Sequence, residues 1–163
     1  MKESRVFTIL MWPSSDRYIV VLEEVQGVRL LLIWIGRSEA EAIALKLQKA
    51  EFPRPLTHDL LRNAIEQAGY SVERVVINDL RSDTYYAKII LSGNGKEIEM
   101  DSRPSDAIAL AVRTNAGIFI EETVLEKGAT VNKPITQEEV NEFKEKIKDL
   151  RPEDFFPGEK SKE

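Results

Sequence analysis

Asp101-Ser-Arg-Pro-Ser-Asp-Ala-Ile-Ala-Leu-Ala-Val-Arg113 sets four polar groups, Asp101, Arg103, Ser105 and Asp106, at the mouth of an alanine-rich apolar run. An earlier stretch, Ile35-Gly-Arg-Ser-Glu-Ala-Glu-Ala-Ile-Ala-Leu45, has the same form. Glu41-Ala-Ile-Ala-Leu45 is answered by Asp106-Ala-Ile-Ala-Leu110 after about 65 residues, and self-similarity at an offset marks a unit used twice. The flanks agree with this. Tyr18–Val25 and Val28–Ile35 are β-rich runs that meet at Gln26-Gly27, and Tyr85–Leu91 and Lys96–Ser102 meet at Asn94-Gly95. Asn-Gly between strands predicts a tight hairpin, because a type I′ turn needs positive φ at both central residues. Each unit therefore reads as a hairpin followed by a helix. The polar groups Arg37/Ser38/Glu39/Glu41 and Asp101/Arg103/Ser105/Asp106 then occupy corresponding corners.

Outward from the two units, Arg5–Trp12 reads as an opening strand and Pro13–Asp16 as a turn. Ser38 with Glu41 three residues on forms a capping-box pattern, predicting a helix from Ser38 to about Ala50. Phe52-Pro-Arg-Pro-Leu56 is an extended connector, since each proline disfavours helix in its predecessor. A second helix is predicted from Thr57 as N-cap to Gly69 just past its end, burying Leu60, Leu61, Ala64 and Ile65. Ser71–Leu80 reads as a strand, and Pro104–Thr114 as a helix with almost no polar face, hence interior. Ile118–Ile120 is a short buried strand. Thr136 and Glu139 box the start of a last helix, with Ile135 stapled to Val140. The expected architecture is α+β: duplicated hairpin-plus-helix units in a mixed or antiparallel sheet packed with helices, plus a C-terminal helix. Residues 1–135 form the duplicated domain, 136–157 its C-terminal helix and docking tail, and 158–163 a disordered end.

Composition narrows the chemistry. With 163 residues, 42% of them hydrophobic, the chain supports one good core. No apolar run is long enough to span a bilayer and no signal-peptide pattern precedes the first strand, so a cytoplasmic protein without a membrane partner is expected. The absence of cysteine removes thiolate nucleophiles, disulfides and Cys-based zinc sites. The net charge of −5 argues against tight nonspecific binding of nucleic acid, whose phosphates are held largely by Lys and Arg, but leaves room for a local basic site. Arg54, Arg62, Arg103 and Arg113 are the candidate phosphate contacts. Leu30-Leu-Leu-Ile-Trp34 is apolar on both strand faces, and a homodimer or higher homo-oligomer is expected from that excess; Trp12, Trp34, Tyr85 and Tyr86 are expected in the core or at a subunit interface.

Two segments carry candidate chemistry. Asp101 and Asp106 offer oxygen ligands to a divalent metal and Arg103 a bidentate clamp for phosphate. The same residues also suit plain structure, since an acid in a first helical turn complements the helix dipole and Pro104 suits the first helical position. Arg54-Pro-Leu-Thr-His-Asp59 holds the only histidine, His58, the one side chain whose ordinary titration suits proton transfer near neutrality. Glu39 and Glu41 would join Asp101 and Asp106 if the two units face each other, although Glu41 also fits a capping role. Ser38 and Ser105 have no base beside them in sequence.

At these residues, Arg54–Asp59 followed by Asp101–Arg113, the chain resembles the bifunctional nuclease family, small proteins that degrade RNA and DNA. The likeness runs from about Val6 to Lys127, and the Phe143–Phe155 region is similar to the tail of compact bacterial members; the added UvrB/UvrC-type motif of plant relatives is not found. The resemblance implies a duplicated α+β domain that oligomerises and acts on nucleic acid. Chemistry together with these motifs assigns metal-assisted phosphodiester hydrolysis, with Mg or Mn held by Asp101 and Asp106 and further by Glu41 and Asp59. Arg103 would hold phosphate and His58 would shuttle the proton. The competing expectation is a non-catalytic oligomeric module that recognises an anion or a protein partner.

Overall fold

The computed structural model describes residues 1–11, 17–134 and 136–149, the last three of these by their backbone. The strands are β1 (Lys2–Met11), β2 (Arg17–Glu24), β3 (Arg29–Gly36), β4 (Ser71–Arg81), β5 (Thr84–Gly93), β6 (Lys96–Ser102), β7 (Gly117–Ile120) and β8 (Thr130–Asn132). The helices are α1 (Arg37–Leu47), α2 (Thr57–Gln67), α3 (Pro104–Thr114), α4 (Glu122–Lys127) and α5 (Gln137–Asp149). All eight strands form one sheet in the order β6-β5-β4-β7-β1-β2-β3-β8. Reading outward from β7, the two sides repeat: β1-β2-β3 leads to α1, and β4-β5-β6 leads to α3. Only the β4–β7 pairing is parallel, so the sheet is mixed. Because β7 runs antiparallel to β1 and parallel to β4, the two meanders point in opposite directions.

The second hairpin turns as its sequence predicts, with Asn94 at φ 52° and Gly95 at φ 70°. The first does not. Neither Gln26 nor Gly27 has positive φ. That hairpin is closed by Glu24, whose carboxylate accepts the Arg29 backbone N–H (3.1 Å) and two guanidinium bonds (2.9 and 2.8 Å). Glu122 of α4 accepts from the same guanidinium at 2.7 Å, so an ion-pair network replaces special turn geometry.

One face of the sheet packs against the helices. Val20, Leu22, Leu31 and Ile33 from the first unit and Val75, Ile77, Ala87 and Ile89 from the second meet Ile43, Ile65 and the apolar residues of α3. α3 is buried nearly all round, with Ala107, Ile108, Ala109 and Leu110 fully covered, because its alanines let the flanking helices approach closely. On the other face, Ile19, Val21, Leu30 and Leu32 pack with Ala129, Val131 and Phe143 of α5. Apolar residues on both faces of β3 are thus covered within the chain.

Three helix expectations change in detail. β3 stays in register to Gly36, opposite Arg17, so Gly36 rather than Ser38 precedes α1, and Ser38 lies within the first turn. Leu56, in an extended conformation, precedes α2 in place of Thr57. At the other end of α2, Gly69 (φ 89°) falls just beyond the helix as expected, and Tyr70 N–H bonds to the Ile65 carbonyl at 3.1 Å. Of the four residues predicted to face inward from α2, only Ile65 is buried; Leu61 is half-buried, while Leu60 and Ala64 are exposed. The Thr136–Glu139 box is present, with reciprocal bonds of 2.9 and 3.1 Å. α4 and β8 are elements that the sequence patterns do not announce. The Pro13–Asp16 turn, Trp12, Ile135 and the tail beyond 149 lie outside the described residues.

Candidate functional site

The site forms where the first turns of α2 and α3 meet. Arg103, extended at φ −70°, precedes α3; Pro104 opens the helix, and Asp106 falls in its first turn, where a carboxylate complements the helix dipole. Arg103 Nε donates to Asp106 Oδ2 at 2.8 Å, and His58 Nε2 lies 2.9 Å from Asp106 Oδ1. Burial would raise the Asp106 carboxyl, but the hydrogen bonds from Arg103 and His58 outweigh it and hold the group below the ordinary carboxylate range. An ionised carboxylate only accepts. Nε2 of His58 is therefore the donor in this pair.

The position of His58 is fixed from behind. The neighbouring Asp59 accepts the Leu56 backbone N–H through Oδ2 at 3.0 Å and Arg113 Nε through Oδ1 at 2.9 Å. Burial works against the ionised Asp59 carboxyl, yet these two bonds carry it below its usual range. The Arg113 side chain is only 2% exposed. Its other nitrogens donate to the Ala109 and Ala42 carbonyls, each at 2.9 Å. One guanidinium thereby ties α1, α2 and α3 together and sets the angle at which His58 reaches Asp106.

The first corner contributes one residue. Arg103 Nη1 donates to Glu39 Oε1 at 3.1 Å, so Arg103 spans two carboxylates from the two units. Asp106 and Glu39 both hold the guanidinium charged. Two open clefts share His58, Arg103 and Asp106. One, about 340 Å³, lies between α1 and the start of α2; the other, about 820 Å³, lies between α2 and the β5–β6 edge.

Of the residues singled out in sequence, the structure brings together His58, Asp59, Arg103, Asp106 and Arg113. Glu41 is drawn to Arg37 (3.0 Å) on the surface of α1, although it borders the smaller cleft. Asp101 borders the larger cleft, but it is the register partner of Lys88 and its charge acts there. Strand alternation sets it with Lys88 and Glu99, away from the Met100 side. Arg54 is exposed in the connector, and Arg62 is half-buried beside Asn63. Arg113 is enclosed by the three helices, where it organises the fold. Ser105 is 6% exposed. The contribution of Glu39 was within reach of the repeat correspondence, which marked both Glu39 and Glu41 but favoured the latter.

The donors do not assemble a metal site here. Among the described residues no three His, Asp or Glu side chains converge on a point that could hold an ion. Asp106 is engaged by His58 and Arg103, Asp59 by Leu56 and Arg113, and Glu41 by Arg37, while Asp101 lies beside Lys88. No helix among the described residues is long and apolar enough to cross a membrane.

Comparison with known proteins gives a consistent result. The model of a family described as the bifunctional nuclease domain matches residues 20–133, which contain every residue of the site. An uncharacterized protein of Mycobacterium tuberculosis is 40% identical over 164 positions, covering 95% of this chain and 98% of its own length. Bifunctional nuclease 1 of Oryza sativa subsp. indica is 30% identical over 115 positions, 68% of this chain and 35% of the rice protein. Bifunctional nuclease 1 of Arabidopsis thaliana is 30% identical over 105 positions, 62% of this chain and 32% of its own. The chain thus spans about a third of the plant proteins it matches.

Proposed function

The chain belongs to the bifunctional nuclease family, and from that premise we propose that it hydrolyses phosphodiester bonds of RNA or DNA at the α2–α3 corner. The observation that carries this reading is the 2.9 Å contact between His58 and Asp106, which joins the two sequence motifs into one acid–base unit. Asp106 fixes the tautomer, leaving Nδ1 of His58 to take a proton from the attacking water. It then steadies the imidazolium that forms. Arg103, held by Glu39 and Asp106, turns toward an arriving phosphate and binds its non-bridging oxygens, stabilising charge as the P–O bond breaks. The proton on His58 passes to the leaving oxygen. Asp59 and Arg113 serve as positioning residues.

No step is routed through a metal, because three of the four carboxylates expected to bind one, Glu41, Asp59 and Asp106, are each engaged by other groups, and Asp101 lies apart from them beside Lys88.

The test is to incubate wild type and H58A with labelled single-stranded RNA and duplex DNA, in Mg²⁺, Mn²⁺ or chelator. H58A should cleave about 10²- to 10⁴-fold more slowly, the usual contribution of a positioned proton-transfer group. Cleavage by H58A at the wild-type rate removes His58 from the mechanism. Loss of wild-type cleavage in chelator would mean that carboxylates rearrange around an ion, restoring the metal-assisted route. Oligonucleotide binding that weakens steeply with salt, without any cleavage, would favour an anion-recognising module.

A further inference from the structure

The periodicity of α2 assigns Leu60 and Ala64 to the core, yet Leu60 is 59% exposed and Ala64 is exposed as well. Both border the larger cleft, together with Leu61 from the same helix and Ile89 and Met100 from β5 and β6. His58, Arg103 and Asp106 line the same cleft. An apolar wall, built on core residues and extended into solvent by Leu60 and Ala64, is therefore continuous with the place where a phosphate would be held. The cleft's volume, about 820 Å³, is in the range that accommodates a small organic ligand, and its lining also includes the polar Asp101 and Ser102. Flat apolar faces with polar edges are what a nucleobase presents once it is out of a stack. In a duplex those faces are covered, and exposing one costs a few kcal/mol; a single strand has largely met that cost already.

We infer that the groove between α2 and the β5–β6 edge receives an unstacked base of a single-stranded nucleic acid whose neighbouring phosphate lies on Arg103. This rests on the proposed siting of the phosphate, and it makes the substrate class of the enzyme single-stranded. Aliphatic side chains grip a base by burial rather than by aromatic stacking, so the groove accepts any of the bases. Duplex substrates enter only where an end or a flipped base supplies a free face.

The experiment measures binding, not turnover. A labelled short single strand with a phosphorothioate backbone, its duplex, and the same strand carrying abasic sites are titrated against wild type, L60D and L60F, with circular dichroism and molecular mass recorded for each protein. Wild type should prefer the single strand to the duplex by about tenfold or more, given the cost of exposing a base. L60D should lose about five- to tenfold on the single strand and nothing on the duplex, and the abasic strand should bind wild type as weakly as the intact strand binds L60D. L60F, which adds a stacking face, should bind the single strand more tightly. Equal wild-type affinity for strand and duplex, no wild-type binding, or unchanged binding by L60D would each overturn the inference. A fall in molecular mass of L60D with binding unchanged would do so too, by making the groove a contact between copies of the chain. Wild type that binds the single strand but never cleaves a natural backbone would leave the inference standing and remove the nuclease reading instead.

Discussion

Glu41 and Asp106 occupy the same place in the two copies of the hairpin-and-helix unit, yet their surroundings differ. Glu41 is an exposed acid paired with Arg37 one turn back on its own helix. Asp106 is bound on both oxygens, by Arg103 and by His58 of a helix with no counterpart in the other half. The difference arises from the segment of chain that succeeds each unit. After α1 the chain inserts the Pro-containing connector and α2, whose first turn is carried to the start of α3; after α3 it runs into β7 and the sheet. The residues of the candidate site have collected at the point where the duplication is broken. The first corner keeps only a supporting part, through the bond from Arg103 to Glu39.

The largest effect should come from treating the two acids alike. D106N removes the carboxylate that fixes the tautomer of His58 and should lower cleavage of single-stranded RNA by about 10²- to 10⁴-fold. E41Q, at the corresponding position, should retain the wild-type rate. Initial rates of the two variants side by side decide the matter, and equal losses would mean that both corners act.

Next is stability, compared at the far ends of the two helices. Arg113 is enclosed and holds three helices, whereas Gln48, its counterpart in the first unit, is exposed. R113A should cost about 3 kcal/mol, the low end for breaking a buried pair, because Asp59 keeps some contact with solvent. Q48A should change stability by about 0.5 kcal/mol or less. Urea unfolding measures both. If R113A proved mild, the guanidinium would be free for other work, including substrate.

Acid should expose the same asymmetry more gently. Asp59 and Asp106 are held below their ordinary value of 3.8 in the folded protein, so their ionised forms favour the native state. That contribution is fully present above 3.8 and is lost as the pH falls through the lowered folded values. Unfolding free energy measured from about pH 6 down to about pH 3 should therefore fall less steeply in D106N than in wild type. Parallel slopes would mean that the Asp106 bonds do not persist in solution.

Most of the fold was legible because it rests on local signals. The duplicated Ala-Ile-Ala-Leu runs, the Asn94-Gly95 turn, Pro104 at the start of α3 and the Thr136–Glu139 box are each decided within a few residues. The burial of α3 followed from its lack of a polar face. What was not legible depends on partners distant in sequence. Nothing near Leu60 tells that its side of α2 faces a groove rather than the core. Glu41 fits a capping box in sequence, and only the extension of β3 to Gly36 shows that the helix has already begun. The same holds for the site. His58, Arg103 and Asp106 were chosen as types of residue in suggestive places, but the sequence could not choose Glu39 over Glu41 at the first corner, and Asp101 was separated from Asp106 by strand alternation. The two-faced apolar character of β3 is legible in sequence, but not that Ala129 and Phe143 of α5 return to pack on its second face.

The smallest difference lies in the two hairpin turns, which close the same unit by different means. Asn94 and Gly95 sit at φ 52° and 70°, and a Cβ at Gly95 would meet nothing within 4 Å, so G95A carries only the cost of its backbone conformation. That cost should be about 1 kcal/mol, and N94A should cost a similar amount. Q26A in the first turn, where φ is not positive, should fall within about 0.5 kcal/mol of wild type. There the sensitive residue is Glu24, whose carboxylate does the work that positive φ does in the second hairpin; E24Q leaves the charge of Arg29 less well matched and should cost more than Q26A. Urea midpoints for the four variants would order them. If Q26A proved as costly as N94A, the first turn would depend on its own backbone after all, and the two hairpins would be closed by one mechanism instead of two.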